Sequence, residues 1–149
     1  GPTYGCNAIH RDYIVQNLIC TKLSHLQEAI QSQYEKKAYL HTTVEMISVL
    51  KNPYLQPFPK IPFEVETEND KPENWKSGSY ATLLAATENN IVTLLGFDLK
   101  GLGERTFLKP FVTTNNIYKN STNYPGETIK KRDLGPEVQQ LGRIINHFS

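Results

Sequence analysis

The stretch Asn17–Thr42, NLICTKLSHLQEAIQSQYEKKAYLHT, decides the fold class. Its short apolar run, Asn17–Thr21, predicts a strand. Apolar residues then recur at every fourth position, which predicts a helix from Ser24 to about Lys36 with Ser24 as its N-cap. The next run, Ala38–Thr42, predicts a second strand. A strand, a helix and a strand in this order favour a parallel pair joined by a helical crossover.

The alternation continues beyond this unit. Thr43 is placed to cap a short helix, Val44–Leu50, and the spacing within Ser77–Asn89 predicts another helix. Ile91–Phe97 is a nearly continuous apolar run, which predicts a strand buried on both faces of a parallel sheet. Pro136 predicts the start of a last helix. The positions of that helix expected to be buried are Val138, Leu141, Ile144, Ile145 and Phe148.

We therefore expect one small α/β domain over residues 1–149, Rossmann-like, with a mostly parallel sheet covered by helices. Two segments interrupt the pattern. Residues 51–74 contain five prolines and leave room for an extended piece, Ile61–Glu66, but for little helix. Residues 100–134 form a long polar segment. Long segments of this kind between regular elements are typical of functional loops.

Composition argues against several classes of protein. No run approaches the roughly 20 apolar residues of a membrane span, and the chain does not begin with a secretory signal. The net charge of +1 lacks the basic excess of a nucleic-acid-binding domain. Cys6 and Cys20 are too few for a disulfide framework and lack the spacing of a zinc site. We therefore expect a cytoplasmic protein that binds no membrane, nucleic acid or metal.

The segment Ser77-Gly78-Ser79 is the first candidate binding site. It opens a predicted helix, whose first N–H groups and positive dipole end suit a phosphate. Gly78 would let the backbone approach a ligand, and the two serines would add hydroxyl donors. The alternative interpretation is a helix cap without a ligand, since serine is common at helix starts.

Three further residues carry candidate chemistry. Asp98 follows the predicted strand Ile91–Phe97, where a carboxylate would face the crevice that binds ligands in parallel sheets. Asn7 offers a donor and an acceptor on one amide, which suits a nucleobase. Tyr118 lies among amides and a lysine that suit phosphate or sugar hydroxyls. For Asp98 and Asn7 the alternative is a structural turn.

Taken together, Tyr4–Asn7, Ser77–Tyr80 and Leu94–Leu99 resemble the bacterial CMP-sialic-acid-dependent sialyltransferases and a group of bacteriophage proteins with the same Rossmann-like core. The resemblance implies a nucleotide-sugar donor, such as a CMP-sugar, as the ligand. It implies that Asn7 contacts the nucleotide, that residues 77–79 and Asp98 line the donor site, and that Tyr118 binds the donor phosphate. For a phage protein, it implies the host cytoplasm as the location.

Two departures from that family make the expected catalytic set incomplete. The chain lacks the family's first strand and its donor-binding turn before Cys6-Asn7. The family's late general-base histidine has only His147 as a counterpart, since His10, His25 and His41 lie in the first third. The catalytic residues therefore stay unknown. A noncatalytic protein that binds a nucleotide or a host protein is the alternative to a glycosyltransferase, and a homo-oligomer stays open.

Overall fold

The computed structural model describes residues 1–95, 97 and 135–149. Within them the chain forms one sheet of four parallel strands, in the spatial order β1-β2-β3-β4. The α/β architecture predicted from the sequence is confirmed. The strands are β1 (Tyr4–Cys6), β2 (Asn17–Ile19), β3 (Tyr39–Thr42) and β4 (Leu55–Pro57).

Helices cover the sheet on both sides. Short 3-10 turns connect several elements, among them Asn7–Arg11 after β1 and Glu68–Asp70 before α3. The helices are α1 (Leu23–Gln31), α2 (Val44–Leu50), α3 (Ser77–Glu88) and α4 (Gly135–Phe148).

The core consists of two apolar layers separated by the sheet. Successive side chains of a strand point to opposite faces, so neighbouring residues of β2 enter different layers. Leu18 packs with residues of α1 and with Leu40 and Leu55 of the next two strands. Ile19 packs on the other face with α3 and α4, whose contributions include Leu83 and Ile144. The chain before β4 therefore covers one face, and the chain after β4 covers the other.

Several local predictions are confirmed. The strand at Ala38–Thr42 is β3, and the helix at Ser77–Asn89 is α3. Thr43 caps α2 by accepting a hydrogen bond from the backbone N–H of Met46 at 3.2 Å. This hydroxyl satisfies one of the N–H groups that the first turn of a helix leaves unpaired.

The predicted strand Ile91–Phe97 is wrong. Residues 91–95 and 97 are in no strand, and Ile91 and Leu95 are 87% and 83% exposed. An apolar run becomes a strand only where a neighbouring strand pairs with its backbone. In the described part of the chain, the four strands pair only with one another, and the edge strand β1 pairs only with β2. The run that follows α3 therefore has no partner strand among the described residues.

Other boundaries also differ from the prediction. Helix α1 begins at Leu23 with Lys22 as its N-cap, so Ser24 lies inside the helix and caps nothing. The proline-rich stretch contains the short strand β4, whereas Ile61–Glu66 contains no strand. Helix α4 buries Leu141 and Ile144 as predicted but begins one residue before Pro136. Three of its apolar residues expected to be buried are instead 44–63% exposed: Val138, Ile145 and Phe148.

Candidate functional site at the carboxyl-terminal edge of the sheet

The carboxyl ends of the parallel strands meet at one edge of the sheet. Asn7 directly follows β1, and Thr21 lies two residues beyond β2. The hydroxyl of Thr21 lies 2.8 Å from that of Ser77, the first residue of α3. This hydrogen bond ties the start of α3 to the edge at which Asn7 lies. The structure thus brings together Thr21 and Ser77, which are 56 residues apart in the sequence.

Asn7 is held in an uncommon backbone conformation. Its φ of 55° lies in the left-handed region, which asparagine tolerates better than most residues. The side-chain Oδ1 lies 3.1 Å from Nδ1 of His25. His25 is in the first turn of α1 and is only 6% exposed. Asn7 is therefore fixed at the edge of the sheet through both its backbone and its amide.

The start of α3 is buried. Ser77 is 8% exposed and Ser79 is fully buried, with no hydrogen-bond partner for its hydroxyl among the described residues. A Cβ added to Gly78 would lie 2.9 Å from Oε1 of Glu137 and 3.1 Å from the ring of Phe97. Any larger residue at position 78 would therefore crowd the Phe97 ring.

A carboxylate thus lies beside the first turn of α3. Glu137 comes from the first turn of α4 and is 8% exposed. The amino end of a helix carries a partial positive charge, so a carboxylate is favoured there by about 0.3–1 kcal/mol. The Glu137 carboxylate therefore lies in the space beside Gly78 that a ligand phosphate would need.

The remaining predicted site residues, Asp98 and Tyr118, lie outside the described residues. The structure adds one buried hydroxyl at the same edge. Thr42 ends β3, is fully buried, and its Oγ1 has no hydrogen-bond partner in the part of the chain described. Native structures satisfy most buried polar atoms, so such a group calls for a physical explanation.

Of the histidines, His25 is at this edge. The ring of His10 lies 5.7 Å from that of Tyr34. Burial lowers the pKa of His10 by more than the neighbouring Glu28 raises it. His147 lies on the last turn of α4 with its ring 5.8 Å from Phe63.

Sequence reasoning missed the role of His41. Its Nε2 lies 3.0 Å from Oδ1 of Asn17, and both side chains are 7% exposed. They belong to β3 and β2 and lie on the side of the sheet that Ile19 also faces. The signal was present in the alternation of polar and apolar residues in Tyr39–Thr42, which is unusual for a strand covered on both faces.

The described residues contain no group of three or more histidine, cysteine, aspartate or glutamate side chains placed to hold a metal ion. None of the helices within residues 1–95 and 135–149 has the length and apolar content needed to cross a membrane.

Comparison with known proteins gives no assignment. The chain matches no protein-family model, and neither the curated proteins nor the solved structures contain a significant match.

Proposed function

We propose that the protein binds a nucleotide or a nucleotide sugar at the carboxyl-terminal edge of its sheet. The observation that carries this proposal is the 2.8 Å hydrogen bond between Thr21 and Ser77, which holds the start of α3 at that edge. Helix starts beside the strand ends of parallel sheets are common phosphate-binding positions in α/β proteins.

In this proposal the ligand phosphate takes the place of the Glu137 carboxylate beside Gly78. Both groups are anions, and the helix start favours either of them. Binding then requires the Glu137 side chain to turn away, so the two anions compete. Replacing the carboxylate by an amide in Glu137→Gln removes the charge that competes. We expect nucleotide affinity to rise about two- to fivefold, which corresponds to about 0.3–1 kcal/mol.

The base of the nucleotide would be read by Asn7. Its Oδ1 faces His25, which leaves the amide NH₂ group to donate to a base carbonyl or ring nitrogen. The variant Asn7→Gly removes the amide but keeps the left-handed backbone, because glycine adopts positive φ without strain. Gln33→Gly is the matched control, since Gln33 has a φ of 59° and lies beyond the far end of α1.

Calorimetric titration and thermal unfolding with CMP, UMP, AMP and their sugar derivatives test the proposal. A ligand that binds only the folded state at 100 times its Kd stabilises that state by about 2.7 kcal/mol. We expect a raised Tm with at least one compound, lost in Asn7→Gly and kept in Gln33→Gly. If none of these compounds raises the Tm at about 1 mM, the proposal is wrong, and the protein uses its fold for another interaction.

Sugar transfer is a second candidate function, favoured by the position of His25. In transfer, an acceptor hydroxyl would displace the nucleotide phosphate at the anomeric carbon. The general base for that step must lie within hydrogen-bond reach of the hydroxyl. His25 is the histidine paired with Asn7 at this edge. If it is the base, His25→Gln should abolish donor consumption and leave nucleotide affinity within about twofold, whereas equal loss of both would indicate a positioning role.

A further inference from the structure

Half of one face of the sheet is polar, and the described helices pack mainly on the other half of that face. Helix α3 packs on β1 and β2 on this side. Tyr39 and His41 lie at alternate positions of β3, and Gln56 of β4 is paired with His41. All three side chains therefore lie on this face. Parallel sheets usually present apolar residues on both faces, because helices cover them. The polar residues therefore mark a surface suited to contact with water or a polar ligand.

A groove of about 580 Å³ lies over this surface. Its volume is within the usual range for small-molecule sites. Asn17 and Tyr39 are the first residues of their strands, so the groove lies toward the amino-terminal edge of the sheet, away from the edge that ends at Asn7 and Thr21. The side chains that line it include Asn17, Lys37, Tyr39, His41, Gln56 and Glu88.

His41 supplies an acceptor that has no partner. Asn17 Oδ1 can only accept, so the Nε2 atom of His41 carries the proton that is donated to it. The other ring nitrogen, Nδ1, is then an acceptor, and it is buried without a partner among the described residues. Burial lowers the pKa of His41 by more than the nearby Glu88 raises it, so the net pKa is lowered. This agrees with a neutral ring at pH 7. Nδ1 is closed to solvent in this structure, so a ligand hydroxyl would satisfy it once the side chains around it move aside.

The rest of the groove combines amides with an exposed aromatic ring. Tyr39 is 63% exposed and lies 6.4 Å from the His41 ring, tilted by 49°. The Asn17 NH₂ group has only a long bond of 3.4 Å to a backbone carbonyl, and Gln56 is half-buried beside His41. Lys37 and Glu88 bring one charge of each sign. The groove thus offers donors, acceptors and an apolar ring face without excess charge.

We propose that this groove binds a neutral polyhydroxylated ligand, a mono- or disaccharide. Sugar hydroxyls both donate and accept, which matches the amides of Asn17 and Gln56 and the buried, unpartnered imidazole nitrogen of His41. The C–H face of a pyranose would pack on the Tyr39 ring. A nucleotide is disfavoured here because the charge of Glu88 offsets that of Lys37. The proposal does not depend on nucleotide binding at the other edge of the sheet.

The test is a set of backbone amide NMR titrations of the whole chain. The probes are glucose, galactose, mannose, N-acetylglucosamine and maltose at up to about 20 mM, since Kd values near the millimolar range are expected for small neutral ligands. We expect saturable shifts at Asn17, Tyr39, His41 and Gln56 with at least one sugar. CMP, titrated in parallel, should leave these four amides unchanged.

Variants decide whether the groove itself binds the sugar. Tyr39→Ala should weaken binding up to about tenfold, the contribution of a well-packed aromatic contact. Tyr13→Ala is the matched control, because Tyr13 is also exposed, at 66%, and does not line the groove. Saturation by no sugar, unchanged affinity in Tyr39→Ala, or groove shifts caused by CMP instead would each overturn the proposal.

Discussion

The side-chain oxygen of Gln140 accepts a hydrogen bond from the backbone N–H of Lys76 at 3.2 Å, so a residue of the last helix caps the start of α3. The Gln140 NH₂ group donates to the carbonyl oxygens of Asn69 and Asn74, each at 3.0 Å. Gln140 is fully buried. One buried amide thus pairs with three part-buried backbone groups of the segment that leads into α3.

The first prediction concerns this amide. Gln140→Leu preserves approximate size but leaves three backbone groups unpaired, so we expect the free energy of unfolding to fall by about 2–4 kcal/mol. Urea unfolding measures it. The control is Gln139→Leu, which removes an exposed hydrogen bond to Asn69 and should cost less than about 1 kcal/mol. Equal losses in the two variants would contradict the role assigned to Gln140.

A pair of glycines gives the second prediction. A Cβ on Gly5 of β1 would lie 2.8 Å from Cγ2 of Ile9 and 3.2 Å from both methyls of Val15, so Gly5→Ala should destabilise the fold by about 1–3 kcal/mol through overpacking. Nothing lies within 4 Å of a Cβ on Gly142 in α4. Gly142→Ala should therefore stabilise by about 0.5–1 kcal/mol, from helix propensity. The Tm values of the two variants should move in opposite directions.

The third prediction compares two carboxylates that share Arg143. Asp70 is 2% exposed and lies 3.4 Å from the guanidinium Nε, and its other oxygen accepts N–H bonds from Glu66 and Thr67. Asp70→Asn should cost about 2–4 kcal/mol because it weakens a buried charged network. The Glu66 carboxylate is 68% exposed and 3.3 Å from the same guanidinium, so Glu66→Gln should cost at most about 1 kcal/mol.

Asp70 also determines how stability responds to strong acid. Burial raises the pKa of this carboxyl, but the two backbone N–H bonds and Arg143 outweigh burial and hold the pKa below its ordinary value of 3.8. The stabilisation that the ionised Asp70 carboxylate contributes is complete well above pH 3.8. It is lost as the pH falls through the lowered pKa of the folded state, at which the folded protein also takes up the proton. Asp70→Asn should flatten stability below pH 4, as followed by urea midpoints.

Two buried histidines give the fourth prediction, in a milder pH range. Burial lowers the pKa of His10 and of His41 below 6.5. Below pH 6.5 the unfolded chain binds protons that the folded chain still excludes, so the free energy of unfolding should fall between pH 7 and pH 5. Between pH 7 and pH 8 these groups should contribute no change. His41→Gln should reduce the loss, and an unchanged pH dependence in that variant would contradict this assignment.

Local signals were sufficient for part of the fold. The spacing in Ser77–Asn89 and the hydroxyl of Thr43 predict α3 and the cap of α2, because both depend on residues within a few positions. The run Ile91–Phe97 misled because a strand requires a neighbour that periodicity cannot reveal. The strand β4 escaped because three residues that end in Pro57 carry almost no pattern.

The candidate site was predictable only in outline. The family resemblance placed Asn7 and residues 77–79 at one ligand site, and parallel topology placed Asp98 at the same edge, but Asp98 lies outside the described residues. The groups that surround Gly78 could not be foreseen, because Glu137 reaches it from a helix 59 residues later in the chain. The His41 groove was hidden for a similar reason, since which strand face a helix covers depends on the tertiary arrangement.

The sheet has its covering layers in chain order: the elements up to α2 pack on one side, and α3 and α4 pack on the other. A chain emerging from the ribosome therefore completes the four described strands before α3 and α4, which cover Ile19, have been made. During that interval the apolar half of this face is open to other nascent chains. Folding yield in the cell should accordingly depend on how quickly the second half follows the first.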